Sequence, residues 1–352
     1  MKDRFLLIRL GAFGDVIHTL PLAAAIRDAC PNAFLCWAVE PGPSVLLQDN
    51  PDVDEILLLD TRDWRTNILR KGLLALCRDI QGLSKIRADV AIDAQGLVKS
   101  GAISWCSGAG MRVGFEHRAC REAMNVMFTN IWAEPPSRPH HVVEKNLSLL
   151  NPIGIPIPET DAVRFPLPET REEAEGAVGY FNKKGLADGH LVLAVHPGAG
   201  WITKRWGEDR YATLADAWVG MTEGKVLLTW GPGEEVAAEN VASMMKNPSL
   251  VAPPTTFREM AAFLRRCHVF AGGDTGPLHL ASALGIPCLA IIGPTDPVRN
   301  GPWGEGHAVM HRKIACSGCY GRTCPDIECL DRVEVAEAAR ELGRLWENHV
   351  KD

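Results

Sequence analysis

The chain has 352 residues, of which 46% are hydrophobic and 23% charged, and a formal net charge of −6. That length exceeds one doubly wound domain and suits two, and the composition lets each half bury a full core. The net acidity argues against a nucleic-acid binder, and no apolar run reaches the roughly 18–20 residues that a membrane span needs.

The first residues run straight into Phe5-Leu6-Leu7-Ile8, without the apolar stretch and small-residue cleavage site of a signal peptide, so a cytoplasmic protein is expected. Residues 5–10 read as a buried strand, followed by a glycine-containing turn and one helix through residue 29. Strands follow at 33–39, 55–59 and 90–93. A Pro-rich stretch from Asn151 to Pro158, with Pro166 and Pro168 after it, cannot be helical and reads as an interdomain linker. The rhythm then restarts, with strands at 191–195, 226–229, 269–271 and 288–292 and a closing amphipathic helix over 333–348. The expected fold is α/β, with two Rossmann-like parallel-sheet domains. Such folds bind ligands at the carboxyl ends of their strands, and with two of them the active site is expected in the cleft between.

Three segments carry the chemistry. After the first strand, Gly11, Gly14 and Asp15 open a helix; the third glycine of the dinucleotide fingerprint is missing. Asp15 is either a helix cap or a carboxylate base facing the cleft. At the end of the first strand of the second half, His196-Pro197-Gly198-Ala199-Gly200 and Thr203-Lys204-Arg205 combine free backbone N–H groups with a cation. That suits a diphosphate, although an ordinary surface turn would share the composition. Farther on, Gly272-Gly273-Asp274-Thr275-Gly276-Pro277-Leu278-His279 places another helix N-terminus at the same sheet edge. There Thr275 can cap the helix and bond a phosphate oxygen.

Two other signals compete. Asp52-Val53-Asp54 has the spacing of a metal-binding Asp-x-Asp, but it precedes a strand where a polar turn is expected. Cys316, Cys319, Cys324 and Cys329 could build a zinc or iron–sulfur site, though the spacing fits no ordinary zinc ribbon, and a loop of reduced, partly buried thiols is the favoured reading. The other seven cysteines (30, 36, 77, 106, 120, 267 and 288) read as small core residues. Between residues 60 and 145 there are 13 Lys/Arg against 9 Asp/Glu, a local +4, which leaves −10 for the rest. An anionic ligand or plain solvated helix faces would both account for it.

Taken together, the segments resemble the lipopolysaccharide heptosyltransferases, glycosyltransferase family nine, almost end to end. The likeness runs through Gly14-Asp15-Val16-Ile17-His18-Thr19-Leu20-Pro21, Asp93-Ala94-Gln95-Gly96-Leu97-Val98-Lys99-Ser100, His196-Pro197-Gly198-Ala199, Lys204-Arg205-Trp206, Asp274-Thr275-Gly276-Pro277-Leu278-His279 and Gly293-Pro294-Thr295-Asp296-Pro297. The segment Asp93 to Ser100 looks most like the members that add the first heptose.

The resemblance implies GT-B architecture and inverting transfer from ADP-heptose to a Kdo-lipid A-type glycolipid. It implies a peripheral enzyme on the cytosolic face of the inner membrane, with no cofactor, metal or nucleic acid. By it, residues 1–165 bind the acceptor, 166–332 bind the ADP-sugar and 333–352 form the C-terminal helix. Asp15 matches the base and Lys204 the lysine at the donor phosphates. Gly14, Thr203, Glu234, Thr255, Asp274, Thr275, Gly276 and His279 fall at the donor, with Thr255 near adenine and Glu234 near ribose. His18, Lys99, Arg118 and Arg121 are expected at the acceptor. A later-core heptosyltransferase, or a nucleotide-sugar epimerase, is the competing expectation.

Overall fold

The computed structural model describes residues 4–61, 79, 81–186 and 189–349. The chain divides into two compact units, Met1–Pro168 and Glu169–Asp352. In the first, six strands pair in parallel: β1 (Arg4–Ile8), β2 (Phe34–Val39), β3 (Glu55–Leu58), β4 (Val90–Asp93), β5 (Met111–Phe115) and β6 (Ile131–Ala133). The second repeats the plan with β7 (Val192–His196), β8 (Lys225–Leu228), β9 (Leu250–Val251), β10 (Val269–Gly273), β11 (Cys288–Ile292) and β12 (Ala308–His311).

The spatial orders are β3-β2-β1-β4-β5-β6 and β12-β11-β10-β7-β8-β9. Each is the doubly wound order in which the chain reverses direction across the sheet between its first and fourth strands. β4, β7, β10 and β11 are buried along their whole length. That is why they read as unbroken apolar runs, because helices cover both faces of a parallel sheet. In the second unit the helix Val335–His349 sends Ala338, Leu342 and Leu345 into the core under β7, β8, β10 and β11.

The observed elements differ from expectation in three places. The first helix is two, Phe13–Ile17 and Leu20–Ala29, because Pro21 has no N–H to continue the ladder and Thr19 begins a new helix instead. The Pro-rich stretch is not free of helix: a 3₁₀ turn, Ser148–Ile153, takes in Pro152 and ends on Gly154 at φ 75°. The segment after it lies on the first unit, where Asn50 donates to the Pro166 carbonyl and Arg164 pairs with Asp28 and Asp52. Strands β5, β6, β9 and β12 were not expected. β6, β9 and β12 are edge strands and β5 lies next to one; the two shortest span three and two residues, too few for a periodic signal.

Candidate functional site

Reversal of strand order opens a crevice at the carboxyl ends of the two strands concerned. In the second unit those strands are β7 and β10, and the two segments singled out there, from His196 and from Asp274, leave their ends. Asp274 is 4% exposed. It accepts from Lys204 Nζ at 2.8 Å through Oδ2 and lies 3.1 Å from His279 Nε2 through Oδ1. Lys204 Nζ also donates to the Asp274 carbonyl at 2.9 Å. Burial opposes the Asp274 charge, but the His279 ring and the Lys204 ammonium outweigh it and hold the carboxyl well below the usual range. Just beyond, Thr275 caps the helix Gly276–Ala283 by position only, since its hydroxyl donates to the Gly273 carbonyl and makes no side-chain cap. The Gly276 and Leu278 N–H groups thus have no side-chain cap, and Pro277 between them has no N–H; a helix N-terminus of this kind suits an anion.

A second pair stands at β8. Glu234 accepts from the Gly231 N–H at 3.0 Å and lies 3.2 Å from His196 Nε2, whose other ring nitrogen meets the Thr229 hydroxyl at 3.1 Å. Burial works against the Glu234 charge; His196, the Gly231 N–H and Arg205 overcome it and lower its pKa. Gly198 is glycine for a spatial reason, because a Cβ there would run into the Glu234 carboxylate. Thr255 lies in the loop one residue before Thr256, which caps the helix Phe257–Leu264.

Thr203 is turned inward. Expected at the donor, it is 2% exposed, and its hydroxyl donates to the Gly321 carbonyl at 2.7 Å. The 3₁₀ turn Ile202–Lys204 points Thr203 inward while it sends Lys204 to Asp274.

In the first unit the reversal falls between β1 and β4. Asp15 sits in the first turn of Phe13–Ile17, accepts from the Ala12 N–H at 3.3 Å and pairs with Arg9 at 2.7 Å. The carboxylate thus caps the helix and stands, one-third exposed, beside a guanidinium. Arg9 is itself fixed by the Ala94 carbonyl at the end of β4. Gly14 occupies the second position of the same short helix. Lys99 Nζ reaches Glu40 at 3.1 Å and the Thr61 hydroxyl at 3.0 Å, and Thr61 in turn donates to Glu40.

The loop beyond β4 is built on Asp93. That buried carboxylate accepts from the Gln95 and Gly96 N–H groups, the Ser100 hydroxyl and the Asn125 amide. Burial raises its pKa while these donors pull against the rise. Gly96, at φ 69°, lets residues 120 and 121 pass close by. Arg118 and Arg121 are both exposed there and form no ion pair among the described residues. Lys145 supports the same loop by donating to the Ala119 carbonyl at 2.5 Å.

His18 is likewise turned inward. Expected at the acceptor, it is 4% exposed and packs edge-on against His141, with ring centroids 5.2 Å apart. It closes the first helix, and the turn at Thr19 directs its ring into the unit.

The Asp-x-Asp pair is structural. Asp52 is buried against Arg164, and Asp54 takes both Arg27 at 2.6 Å and the Leu35 N–H at 2.7 Å. Of the cysteine cluster only Cys329 is buried; Cys316, Cys319 and Cys324 are exposed, which is more open than expected. Among the described residues no three His, Cys, Asp or Glu side chains gather as metal ligands. Cys36 and Cys288 are core residues whose thiols burial pushes up, the first to about 12; Cys77 lies outside the described residues.

Sequence reasoning did not single out Arg9, Glu40, Thr61 or His196 for these contacts. Arg9 and His196 end strands at a reversal point and Glu40 follows the neighbouring β2, and a charged residue closing an apolar run is a signal that could have found them.

Two Rossmann-like units of this strand order make up a GT-B fold. Solved structures agree: a family 9 glycosyltransferase from Veillonella parvula matches with TM-score 0.81 at 20% identity over 98% of this chain and 97% of that one. E. coli heptosyltransferase WaaC with ADP matches with TM-score 0.78 at 23% identity over 97% and 99%. In sequence, lipopolysaccharide heptosyltransferase 1 of Pseudomonas aeruginosa is 32% identical over 330 residues, 91% of this chain and 87% of the relative. The family described as glycosyltransferase family 9 (heptosyltransferase) matches residues 77–329. The chain belongs to that family and is a glycosyltransferase of the heptosyltransferase kind.

Proposed function

We propose that the protein moves a heptose from ADP-heptose to a Kdo-lipid A-type acceptor, with inversion, in lipopolysaccharide core synthesis. The observation that carries this reading is the Lys204–Asp274–His279 network set against the N-terminus of Gly276–Ala283. A leaving diphosphate gathers negative charge, and an ammonium fixed by a buried carboxylate, beside free helix N–H groups, is a preorganised electrostatic partner for it. Glu234, held ionised by His196, offers a carboxylate to ribose hydroxyls, and Thr255 belongs near the base. The names of the relatives support both the sugar and the lipopolysaccharide acceptor.

On this reading the second unit takes the donor and the first unit the acceptor. Inversion is one displacement through an oxocarbenium-like state. Asp15 takes the proton of the attacking hydroxyl as the new bond forms, and Arg9 keeps that carboxylate in place. Lys99, Arg118 and Arg121 meet the Kdo carboxylates and lipid phosphates. Among the described residues no helix is long and apolar enough to cross a membrane, so the reading includes peripheral action at the cytosolic face of the inner membrane.

The test is mass spectrometry of a Kdo-lipid A acceptor incubated with the protein and ADP-heptose. The acceptor should gain one heptose, and ADP should appear only when acceptor is supplied. Donor turnover without acceptor would instead indicate an epimerase. Transfer only to an acceptor that already carries heptose would place the enzyme later in the core.

A further inference from the structure

The cysteine-rich segment after β12 does not hang free. Thr203, next to Lys204, donates to the Gly321 carbonyl at 2.7 Å, and the Tyr320 N–H donates to the Pro294 carbonyl at 3.0 Å. The Tyr320 hydroxyl donates to Asn300 Oδ1 at 2.9 Å. Tyr320 is held at φ 53°, a conformation that L residues other than Asn and Asp rarely adopt. Such backbone strain persists only where surrounding contacts enforce it. The outcome of this bend is the placement of the next side chain but one. Arg322 lies over the Trp201 ring, 4.9 Å from its centroid, and Lys204 Nζ lies 4.6 Å from the same centroid.

Two cations on one indole ring stand within about 10 Å of each other. Their surroundings differ. Lys204 is matched by Asp274. Arg205 donates to the Ala199 carbonyl and offsets Glu234. Arg322 is exposed, on the cysteine-bearing segment, and forms no ion pair among the described residues. It therefore supplies the uncompensated positive charge beside the lysine, and its planar fork of donors suits phosphate oxygens.

We infer that Arg322 is a second diphosphate-binding residue, a positioning group that holds the distal phosphate of the nucleotide while Trp201 orients it. This rests on the proposed placement of the donor phosphates at Lys204. It also gives the segment from Cys316 to Cys329 a task that needs no metal, namely carrying a guanidinium to the nucleotide.

Calorimetric titration with ADP and with AMP separates this role from a merely structural one, because AMP lacks the distal phosphate. Arg322→Ala should weaken ADP binding about tenfold or more, the size expected of a lost charge-assisted bond, and leave AMP affinity unchanged. Arg322→Lys should recover part of the loss. Unchanged ADP affinity in Arg322→Ala, or an equal loss for ADP and AMP, overturns the inference. Lys204→Ala serves as the control: if it loses ADP affinity while Arg322→Ala does not, only Arg322 is misassigned. If neither variant loses affinity, the phosphate site itself is misplaced.

Discussion

In the second unit the charged groups at the strand reversal are buried and tied to one another. Asp274 is held between Lys204 and His279, and Glu234 is held by His196. In the first unit Arg9 and Asp93 are buried too, but Asp15 is about one-third exposed beside Arg9, and Arg118 and Arg121, beyond β5, face solvent. The same strand order thus carries two kinds of charge arrangement. A rigid, prepaid network suits one invariant ligand such as a nucleotide diphosphate, because its dipoles need no rearrangement when charge develops. An open array of cations suits a large anionic glycolipid, which must be approached from a surface and released again. The contrast predicts that damage to the two units will show in different measurements.

The largest effect should come from Asp15→Asn. Turnover should fall by about 10²–10⁴-fold, the usual worth of a general base. Stability should change by less than about 1 kcal/mol, because the pair with Arg9 is partly exposed. A rate assay beside a urea melt checks both. A variant keeping more than about a tenth of the rate would remove Asp15 from the base role.

Asp274→Ala is the counterpart in the second unit. It strands Lys204 and His279, and removing one partner of a buried pair costs about 3 kcal/mol or more. Both the urea midpoint and donor turnover should fall. Were turnover alone affected, the network would not be a structural element of the unit.

Smaller is the effect of neutralising Arg118 or Arg121. Each substitution to Gln should raise the acceptor KM severalfold and leave donor KM unchanged. Added salt should mimic it, because exposed charges are screened beyond about 8–10 Å at physiological ionic strength. Equal use of a neutral sugar acceptor, with no salt dependence, would break the comparison on the side of the first unit.

Acid should give the smallest difference, and its sign is set by the carboxylates. Asp274 and Glu234 are held below their ordinary values in the fold. Their stabilisation is present above the unfolded carboxylate range of about 4 and is lost as pH falls through the lower folded values. Asp93, raised by burial, contributes in the opposite sense. The urea midpoint should therefore drop between pH 5 and pH 3, and Glu234→Gln should flatten that drop. An unaltered slope in the variant would argue against the His196 pairing.

The sequence made the inner strands legible because both faces of a parallel sheet are covered, which turns burial into an unbroken apolar run. The glycine-rich turns at His196 and Asp274 were legible for a related reason: glycine and a charged residue after such a run mark a strand end. The rest depended on geometry that spacing does not carry. Nothing in the string distinguishes Thr203, turned inward to Gly321, from Lys204, turned toward Asp274. His18 looked available beside Asp15, yet the break before Pro21 turns it against His141. Arg322 lies 118 residues from Lys204 in the chain, and only the anchoring of Gly321 by Thr203 brings them to one tryptophan.

The division of labour between the units is tested most directly by titrating ADP, in a calorimeter, into the wild-type protein, Lys204→Ala and Asp15→Asn. ADP affinity should fall at least tenfold in Lys204→Ala, from the lost charge-assisted contact, and stay at the wild-type level in Asp15→Asn despite its loss of turnover. Undiminished ADP binding in Lys204→Ala, or a comparable loss in Asp15→Asn, would contradict that division.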